Sequence, residues 1–149
     1  MALEIERKFL VKGDFRHLSV REIKITQAYL SVDPSRIIRL RITGERAFLT
    51  IKNHMKGTSF TKNEWEVEIP LLMANEILDV CLPGRIIKTR YHVPSGQHMF
   101  EVDVFHDKNE GLVVAEIELS DEKEDFEKPA WIGEEVTGRA EFNNSNLIK

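Results

Sequence analysis

The sequence predicts an α+β protein that is mainly antiparallel β: an eight-stranded closed β-barrel with flanking helices, formed by a single domain over residues 1–149. Most of the chain alternates apolar and polar residues with a period of two, which is typical of strands with two different faces. Short turn sequences separate these runs, which makes consecutive strands antiparallel neighbours. Closing such a sheet into a barrel removes its exposed edges.

The alternating runs define the strands in chain order. They cover residues 2–11, 23–31, 36–43, 46–54, 62–70, 85–93, 98–106 and 112–120. Turn residues lie between several of these runs: Asp33-Pro34-Ser35, Thr43-Gly44-Glu45, Lys56-Gly57-Thr58, Pro83-Gly84 and Pro94-Ser95-Gly96-Gln97.

Three segments have a helical pattern. Residues 71–80 follow Pro70 and precede Pro83-Gly84, which are start and stop signals for a helix. Residues 121–128 and 133–148 are two further predicted helices. These helices are expected to cover the outside or the ends of the barrel.

Composition excludes several classes of protein. The chain has 42% hydrophobic and 31% charged residues and no long apolar run. This composition argues against a membrane span and against a disordered tail. The first eight residues alternate charge with hydrophobe, unlike a signal peptide, and the single cysteine, Cys81, cannot form an internal disulfide, so we expect a cytoplasmic protein. The formal net charge of -4 argues against general nucleic-acid binding.

The polar face of the predicted sheet is charged, and neighbouring charges on one strand share a sign. Residues two apart on a strand lie on one face, roughly 7 Å apart. Carboxylates come from Glu4, Glu6, Glu64, Glu66, Glu101, Asp103, Glu116 and Glu118, and cations from Lys8, Arg39, Arg41, Lys52, Lys88 and Arg90. Any antiparallel sheet with one solvated face also alternates apolar and polar residues. A solvated face usually carries positive and negative charges interspersed, however, and most of these strands do not.

If these faces point into a closed barrel, unpaired charges there would be costly. Divalent cations would neutralise the carboxylates, and a polyanion would neutralise the lysines and arginines. The five histidines and one cysteine have no zinc-like spacing, so a hard cation, Mg²⁺ or Mn²⁺, is expected. A metal-bound triphosphate supplies both partners.

The segment Glu4-Ile5-Glu6-Arg7-Lys8 resembles the opening Glu-x-Glu-x-Lys motif of the CYTH superfamily, also called triphosphate tunnel metalloenzymes. The resemblance continues in order across nearly the whole chain, through Gln27-Ala-Tyr29-Leu30, Arg39-Leu-Arg41, Leu49-Thr-Ile-Lys52, Glu64-Trp-Glu66, Lys88-Thr-Arg90-Tyr91, Glu101-Val-Asp103-Val-Phe105, Ala115-Glu116-Ile-Glu118-Leu119 and Trp131-Ile-Gly133-Glu-Glu135-Val136-Thr137. It implies an eight-stranded antiparallel tunnel that acts on organic or inorganic triphosphates with divalent metal.

The resemblance also implies roles for individual residues. Metal ligands would be Glu4, Glu6, Glu116 and Glu118, and phosphate would be bound by Lys8, Arg39, Arg41, Lys52, Lys88 and Arg90. Glu64, Glu66 and Asp103 match acidic tunnel positions. Tyr29 matches a tyrosine that works with the motif lysine, here Lys8, on the attacking water; the alternative is a hydroxyl that only hydrogen-bonds within the barrel.

The expected activity is hydrolysis of inorganic tripolyphosphate to pyrophosphate and phosphate. Three alternatives stay open: a class IV adenylate cyclase, a thiamine triphosphatase and a non-catalytic binder of polyphosphate or nucleotide. A thiamine triphosphatase needs aromatic side chains to bind the thiamine end of its substrate. The two tryptophans, Trp65 and Trp131, are better explained by packing. The expected partner is a small triphosphate, and a homodimer is left open.

Overall fold

The structure is a computed structural model that describes residues 2–55 and 61–148. In these ranges nine strands and one α-helix follow one another: β1 Ala2–Val11, β2 Arg21–Ser31, β3 Ile37–Thr43, β4 Arg46–His54, β5 Thr61–Ile69, α1 Leu71–Leu78, β6 Ile86–Ser95, β7 His98–Phe105, β8 Val113–Leu119 and β9 Ile132–Glu135. The predicted turn Lys56-Gly57-Thr58 lies outside the described residues.

The first eight strands form a closed antiparallel barrel, which confirms the predicted fold class. Their order is β5-β4-β3-β2-β6-β7-β8-β1, and pairing of β1 with β5 closes the ring. Strand β1 is the junction, because Ala2 to Ile5 pair with β5 and Ile5 to Leu10 pair with β8. This register places Glu4 opposite Lys62, and Lys8 opposite Glu116.

Strand β9 is a ninth strand that the sequence did not predict. It pairs with the end of β1 through Phe9 and Val11. Gly133 permits the close approach, since a Cβ atom there would lie 3.0 Å from the carbonyl oxygen of Leu10.

Most of the apolar packing lies outside the barrel wall. A large cluster on one side contains Phe9, Phe15, Phe100 and Trp131, and their rings meet edge to face or at a tilt. On another side, Ala74 of α1 packs on Leu40 and Ala47. The outward faces of the strands therefore supply the core, and the charged faces turn into the barrel.

The helix predicted over residues 71–80 is confirmed as α1, which ends at Leu78. The turn predicted at Pro94-Ser95-Gly96-Gln97 is shorter than expected. Pro94 and Ser95 still pair with β7, and the chain reverses at Gly96, whose φ of 60° suits glycine. No helix in the described part of the chain is long and apolar enough to cross a bilayer.

The predicted helix over residues 121–128 is wrong, since this segment is irregular. Its acidic side chains bind backbone groups locally: Ser120 N donates to Glu124 Oε1, and Lys123 N donates to Asp121 Oδ1. Such bonds compete with helical hydrogen bonds. Phe126 anchors the segment on the rings of Phe9 and Phe100.

The predicted helix over residues 133–148 is also wrong. Its first residues belong to β9, and short 3₁₀ turns follow at Ala140–Phe142 and Asn144–Asn146. Gly138 adopts a φ of 78°, which ends any regular structure there. The apolar residues of this segment, Phe142, Leu147 and Ile148, pack with Tyr29 and Phe105 and do not form a helical stripe.

Candidate functional site

A cavity of about 290 Å³ lies inside the barrel. Twelve of the residues predicted for the site line it: Glu4, Glu6, Lys8, Tyr29, Arg39, Arg41, Lys52, Glu64, Glu66, Arg90, Glu116 and Glu118. Residues that were not predicted for the site also line it: Ile37, His54, Lys62, Glu101, Asn143, Asn144 and Ser145. Alternation along each strand explains this arrangement, because every second side chain points inward.

Three carboxyl groups on β1 and β8, those of Glu4, Glu6 and Glu116, line the same cavity. Glu6 and Glu116 lie within hydrogen-bonding reach of each other, although both are acidic. Burial, with the charge of Glu6 added, raises the pKa of Glu116, and the same two causes raise the pKa of Glu4. Burial opposes ionisation of Glu6 too, but Lys62, Lys52 and Lys8 outweigh it and hold its pKa well below the ordinary value. The like charge of Glu6 thus opposes ionisation of both of its neighbours, Glu4 and Glu116.

Each of these carboxyl groups has a lysine beside it. Lys52 Nζ lies 2.7 Å from Glu4 Oε2, Lys62 Nζ lies 3.3 Å from Glu6 Oε1, and Lys8 Nζ lies 3.7 Å from Glu116 Oε1. Pairing of β1 with β5 closes the barrel and brings Lys62 of β5 and Lys52 of β4 to the carboxylates of β1, whereas Lys8 and Glu116 are direct partners on β1 and β8. The cluster is largely neutralised by internal ion pairs.

The donor set suits a hard divalent cation, although the side chains are not arranged as a finished metal site. Among residues 2–55 and 61–148, no three Asp, Glu, His or Cys side chains converge closely enough to hold an ion. Glu4 Oε2 is buried and makes no hydrogen bond of good geometry within the described residues. Its nearest cation is Lys52 Nζ, at 2.7 Å. Oxygen ligands of this kind favour Mg²⁺ or Mn²⁺. Glu4, Glu6 and Glu116 are the side chains that fit, and Glu118, which is exposed, also lines the cavity.

Two arginines on β3 face the cavity from the other side. Gln27 Oε1 accepts hydrogen bonds from Arg41 Nε at 3.0 Å and Nη2 at 2.9 Å, which fixes the guanidinium plane. Arg39 Nη2 donates to Thr50 Oγ1 at 3.3 Å, and Thr50 donates in turn to Glu66. Arg39 Nε is buried with no hydrogen-bond partner in the described part of the chain. Phosphate oxygens would accept from these arginines.

Lys88 and Asp103 are almost fully buried and do not line the cavity. Asp103 is 1% exposed and accepts hydrogen bonds from Arg90 Nε at 2.7 Å and Arg90 Nη2 at 2.9 Å, and Lys88 Nζ lies 2.7 Å from Asp103 Oδ2. Burial alone would raise the pKa of Asp103, but Arg90 and Lys88 outweigh it and hold the pKa below its ordinary value. The aspartate thus anchors Arg90, which does line the cavity.

Tyr29 is buried beside the arginines. Gln27 Nε2 donates to its hydroxyl oxygen at 3.3 Å, and burial raises the pKa of the phenol above its ordinary value. The hydroxyl is therefore protonated at neutral pH, and it can orient a water molecule but is not a ready-made phenolate base.

The C-terminal segment closes one end of the barrel. Lys8 Nζ donates to the carbonyl oxygen of Phe142 at 3.2 Å, and Lys88 Nζ donates to Asn144 Oδ1 at 3.0 Å. Leu147 packs in a buried cluster with Tyr29 and Phe105, which holds the segment in place. Two cations predicted to bind substrate thus also bind the chain's own C-terminal segment.

Comparison with known proteins agrees with this geometry. A family model described as the CYTH domain matches residues 2–146. The chain belongs to the CYTH family. An inorganic triphosphatase from Acetivibrio thermocellus is 43% identical over 100% of this chain and 95% of its own length. The crystal structure of the inorganic triphosphatase NE1496 superposes with a TM-score of 0.65 at 31% identity, covering 97% of this chain and 96% of that one. The PH1012 protein from Pyrococcus horikoshii shares the fold at 18% identity, with a TM-score of 0.60 over 80% of both chains.

The sequence pattern did not predict roles at the site for Lys62, Gln27 and the C-terminal asparagines of this CYTH domain. Lys62 lies two residues before Glu64, so the period of two could have placed it in the cavity. Its sign differs from that of Glu64 and Glu66, whereas the predicted pattern rested on neighbouring charges of the same sign. Asn143 and Asn144 lie outside the strands, where no periodic signal exists.

Proposed function

We propose that this CYTH protein is a divalent-metal-dependent triphosphatase that hydrolyses inorganic tripolyphosphate to pyrophosphate and phosphate. The main support for this proposal is the composition of one cavity. The carboxylates of Glu4, Glu6 and Glu116 line it together with the guanidinium groups of Arg39 and Arg41. The names of two relatives that are more than 30% identical support the same substrate class.

The cations of the cavity would do most of the binding. Arg39, Arg41 and Arg90 present planar guanidinium groups that fork onto phosphate oxygens, and Lys8 and Lys52 act as point charges. Negative charge spreads over the oxygens of the transferred phosphoryl group in the transition state, so fixed cations stabilise it without reorganisation. Lys88 would act indirectly, through Asp103 and Arg90.

The carboxylates would hold the metal. Glu4, Glu6 and Glu116 are the proposed ligands of Mg²⁺ or Mn²⁺, with Glu118 as a further candidate. A bound divalent cation supplies Lewis-acid polarisation of phosphate oxygens. Lys52 and Lys8 are paired with Glu4 and Glu116 in this structure, and they would be available to the substrate when those carboxylates hold the cation.

The attacking group would be water. Tyr29 is protonated, and both it and Lys8 line the cavity, so both can orient the water oxygen toward the terminal phosphorus. The new P–O bond forms as the bond to the leaving pyrophosphate breaks. Glu64 and Glu66 complete the cavity wall and would repel a second polyanion.

A substrate panel tests this proposal. Tripolyphosphate, ATP and thiamine triphosphate are each incubated with Mg²⁺, Mn²⁺ or EDTA, and the products are separated by ion chromatography. We expect phosphate and pyrophosphate from tripolyphosphate, with no turnover in EDTA. Cyclic AMP and pyrophosphate from ATP would instead identify an adenylate cyclase. Preference for thiamine triphosphate would identify a thiamine triphosphatase, and binding without turnover would identify a non-catalytic binding protein.

Two further proposals concern the surroundings of the protein: a cytoplasmic location, supported by the single cysteine, and a homodimer. Exposed apolar side chains on the outside of β1, β4 and β5 support the dimer, since Ile51 pairs with Trp65, and Val67 and Leu3 are also exposed on these strands. Light scattering after gel filtration tests the dimer; a monomer for the wild type would contradict it.

A further inference from the structure

Lys62 is a cavity-lining cation to which neither the sequence pattern nor the proposed mechanism assigns a role. It is the second residue of β5 and lies opposite Glu4 on β1 and opposite His54 on β4. It also lines a smaller cavity of about 120 Å³ with Glu6, Lys8, His54 and Thr137.

The contacts of Lys62 are with the carboxylate cluster. Its Nζ lies 3.3 Å from Glu6 Oε1, and the side chains of both residues are only 13% exposed. Burial opposes the charge of Lys62, but Glu6, Glu4 and Glu116 outweigh it and raise the pKa of Lys62 above its ordinary value. The pKa of Lys52 is instead lowered, by burial and by the charge of Arg39, although Glu4 and Glu6 oppose this. Lys62 therefore belongs to the acidic part of the cavity, and Lys52 lies at the border with the phosphate-binding cations.

Three buried carboxyl groups without a cation would be strongly unfavourable. Lys62 supplies a positive charge to this group from the protein itself. A divalent cation that binds the same carboxylates either displaces the ammonium group or binds against its repulsion.

We propose that Lys62 is a positioning residue that acts as an internal counter-ion: it holds Glu6 and its neighbours in place without metal, and it weakens and thereby sets the affinity for the divalent cation. This inference rests on the proposed function, which assigns the metal to these carboxylates. In this role Lys62 acts through the carboxylates and not on the substrate.

Removal of the charge has two opposite consequences. The metal-free protein loses stability, because Glu6 loses its partner. Binding of the cation becomes tighter, because the competing ammonium group is gone. A purely structural lysine would lower stability without tightening metal binding, and a phosphate-binding lysine would raise the KM for tripolyphosphate with unchanged metal affinity.

The experiment measures Mn²⁺ binding by titration calorimetry and thermal unfolding in EDTA and in Mn²⁺. It compares the wild type with Lys62→Met, with Lys62→Arg, which keeps the charge, and with Lys24→Met, which removes an exposed lysine of β2. We expect Lys62→Met to bind Mn²⁺ on the order of tenfold more tightly. It should also unfold at a lower temperature in EDTA and gain more from Mn²⁺ than the wild type. Lys62→Arg and Lys24→Met should stay near the wild type.

Equal or weaker Mn²⁺ binding by Lys62→Met, with normal binding by the wild type, would overturn this inference and leave the proposed function intact. Absence of Mn²⁺ binding by the wild type would overturn the metal assignment, and this inference with it. If Lys62→Met is unfolded in EDTA, we expect Mn²⁺ to refold it; failure to refold would count against the counter-ion role.

Discussion

Asp103 offers a test of how the cavity wall is held together. Replacement by Asn keeps the shape of the side chain but removes the negative charge between Arg90 and Lys88. Both cations are buried, and Arg90 makes two of its hydrogen bonds to this carboxylate. Removing one partner of a buried ion pair costs about 3–5 kcal/mol because the remaining charge is left uncompensated. Asp103→Asn should therefore lower the free energy of unfolding by that amount.

Urea unfolding in EDTA at pH 7 measures this loss, since the pKa of Asp103 lies below its ordinary value and the carboxylate is ionised there. For a domain of this size the melting temperature should fall by roughly 6–20 °C. Asp125→Asn, at an exposed position, is the matched control and should change stability by less than about 0.5 kcal/mol. Adding Lys88→Met to Asp103→Asn removes one of the two unpaired cations and should recover part of the loss. Wild-type stability of Asp103→Asn would show that this carboxylate does not stabilise the two buried cations.

Three further changes probe other parts of the molecule. Gln27→Leu frees the guanidinium of Arg41 and should lower kcat/KM for tripolyphosphate about tenfold, the effect of losing one charged hydrogen bond; unchanged kinetics would contradict this role. Leu147→Ala should cost about 2 kcal/mol in urea unfolding, because its cluster anchors the C-terminal segment; a neutral effect would show that the segment is not anchored there. The hydrogen-bonded pair with Arg7 lowers the pKa of Glu135, so its stabilisation is present above pH 4.5 and is lost as pH falls through the lowered pKa. The stability difference between wild type and Glu135→Gln should therefore shrink on acidification. A difference that stays constant with pH would contradict a lowered pKa for Glu135.

The barrel was predictable because its signal is local and repeated. Alternation along strands such as β1 and β8 determines which side chains share a face, and it places Glu4, Glu6 and Glu116 on the polar face of the sheet. Closure was inferred from the number of strands and the short connections, and the pairing of β1 with β5 provides it.

Other features depend on contacts between distant parts of the chain, which the sequence pattern does not encode. The partnership of Lys88 with Asp103 rather than with the cavity depends on cross-strand packing between β6 and β7. The two wrong helices have the same origin. Residues 121–128 are held by Phe126 and local side-chain bonds, and the C-terminal segment is held by Leu147 and by Asn144.

Carboxylates and cations in one cavity are proposed to carry out metal-dependent hydrolysis of tripolyphosphate. Phosphate release with Mn²⁺ is therefore measured in the wild type, in Glu6→Gln and in Glu68→Gln, whose side chain is exposed on β5 and pairs with Arg46. We expect release by the wild type and Glu68→Gln, and a loss of about 100-fold in Glu6→Gln. Undiminished release by Glu6→Gln, or release by the wild type in EDTA, would contradict the claim.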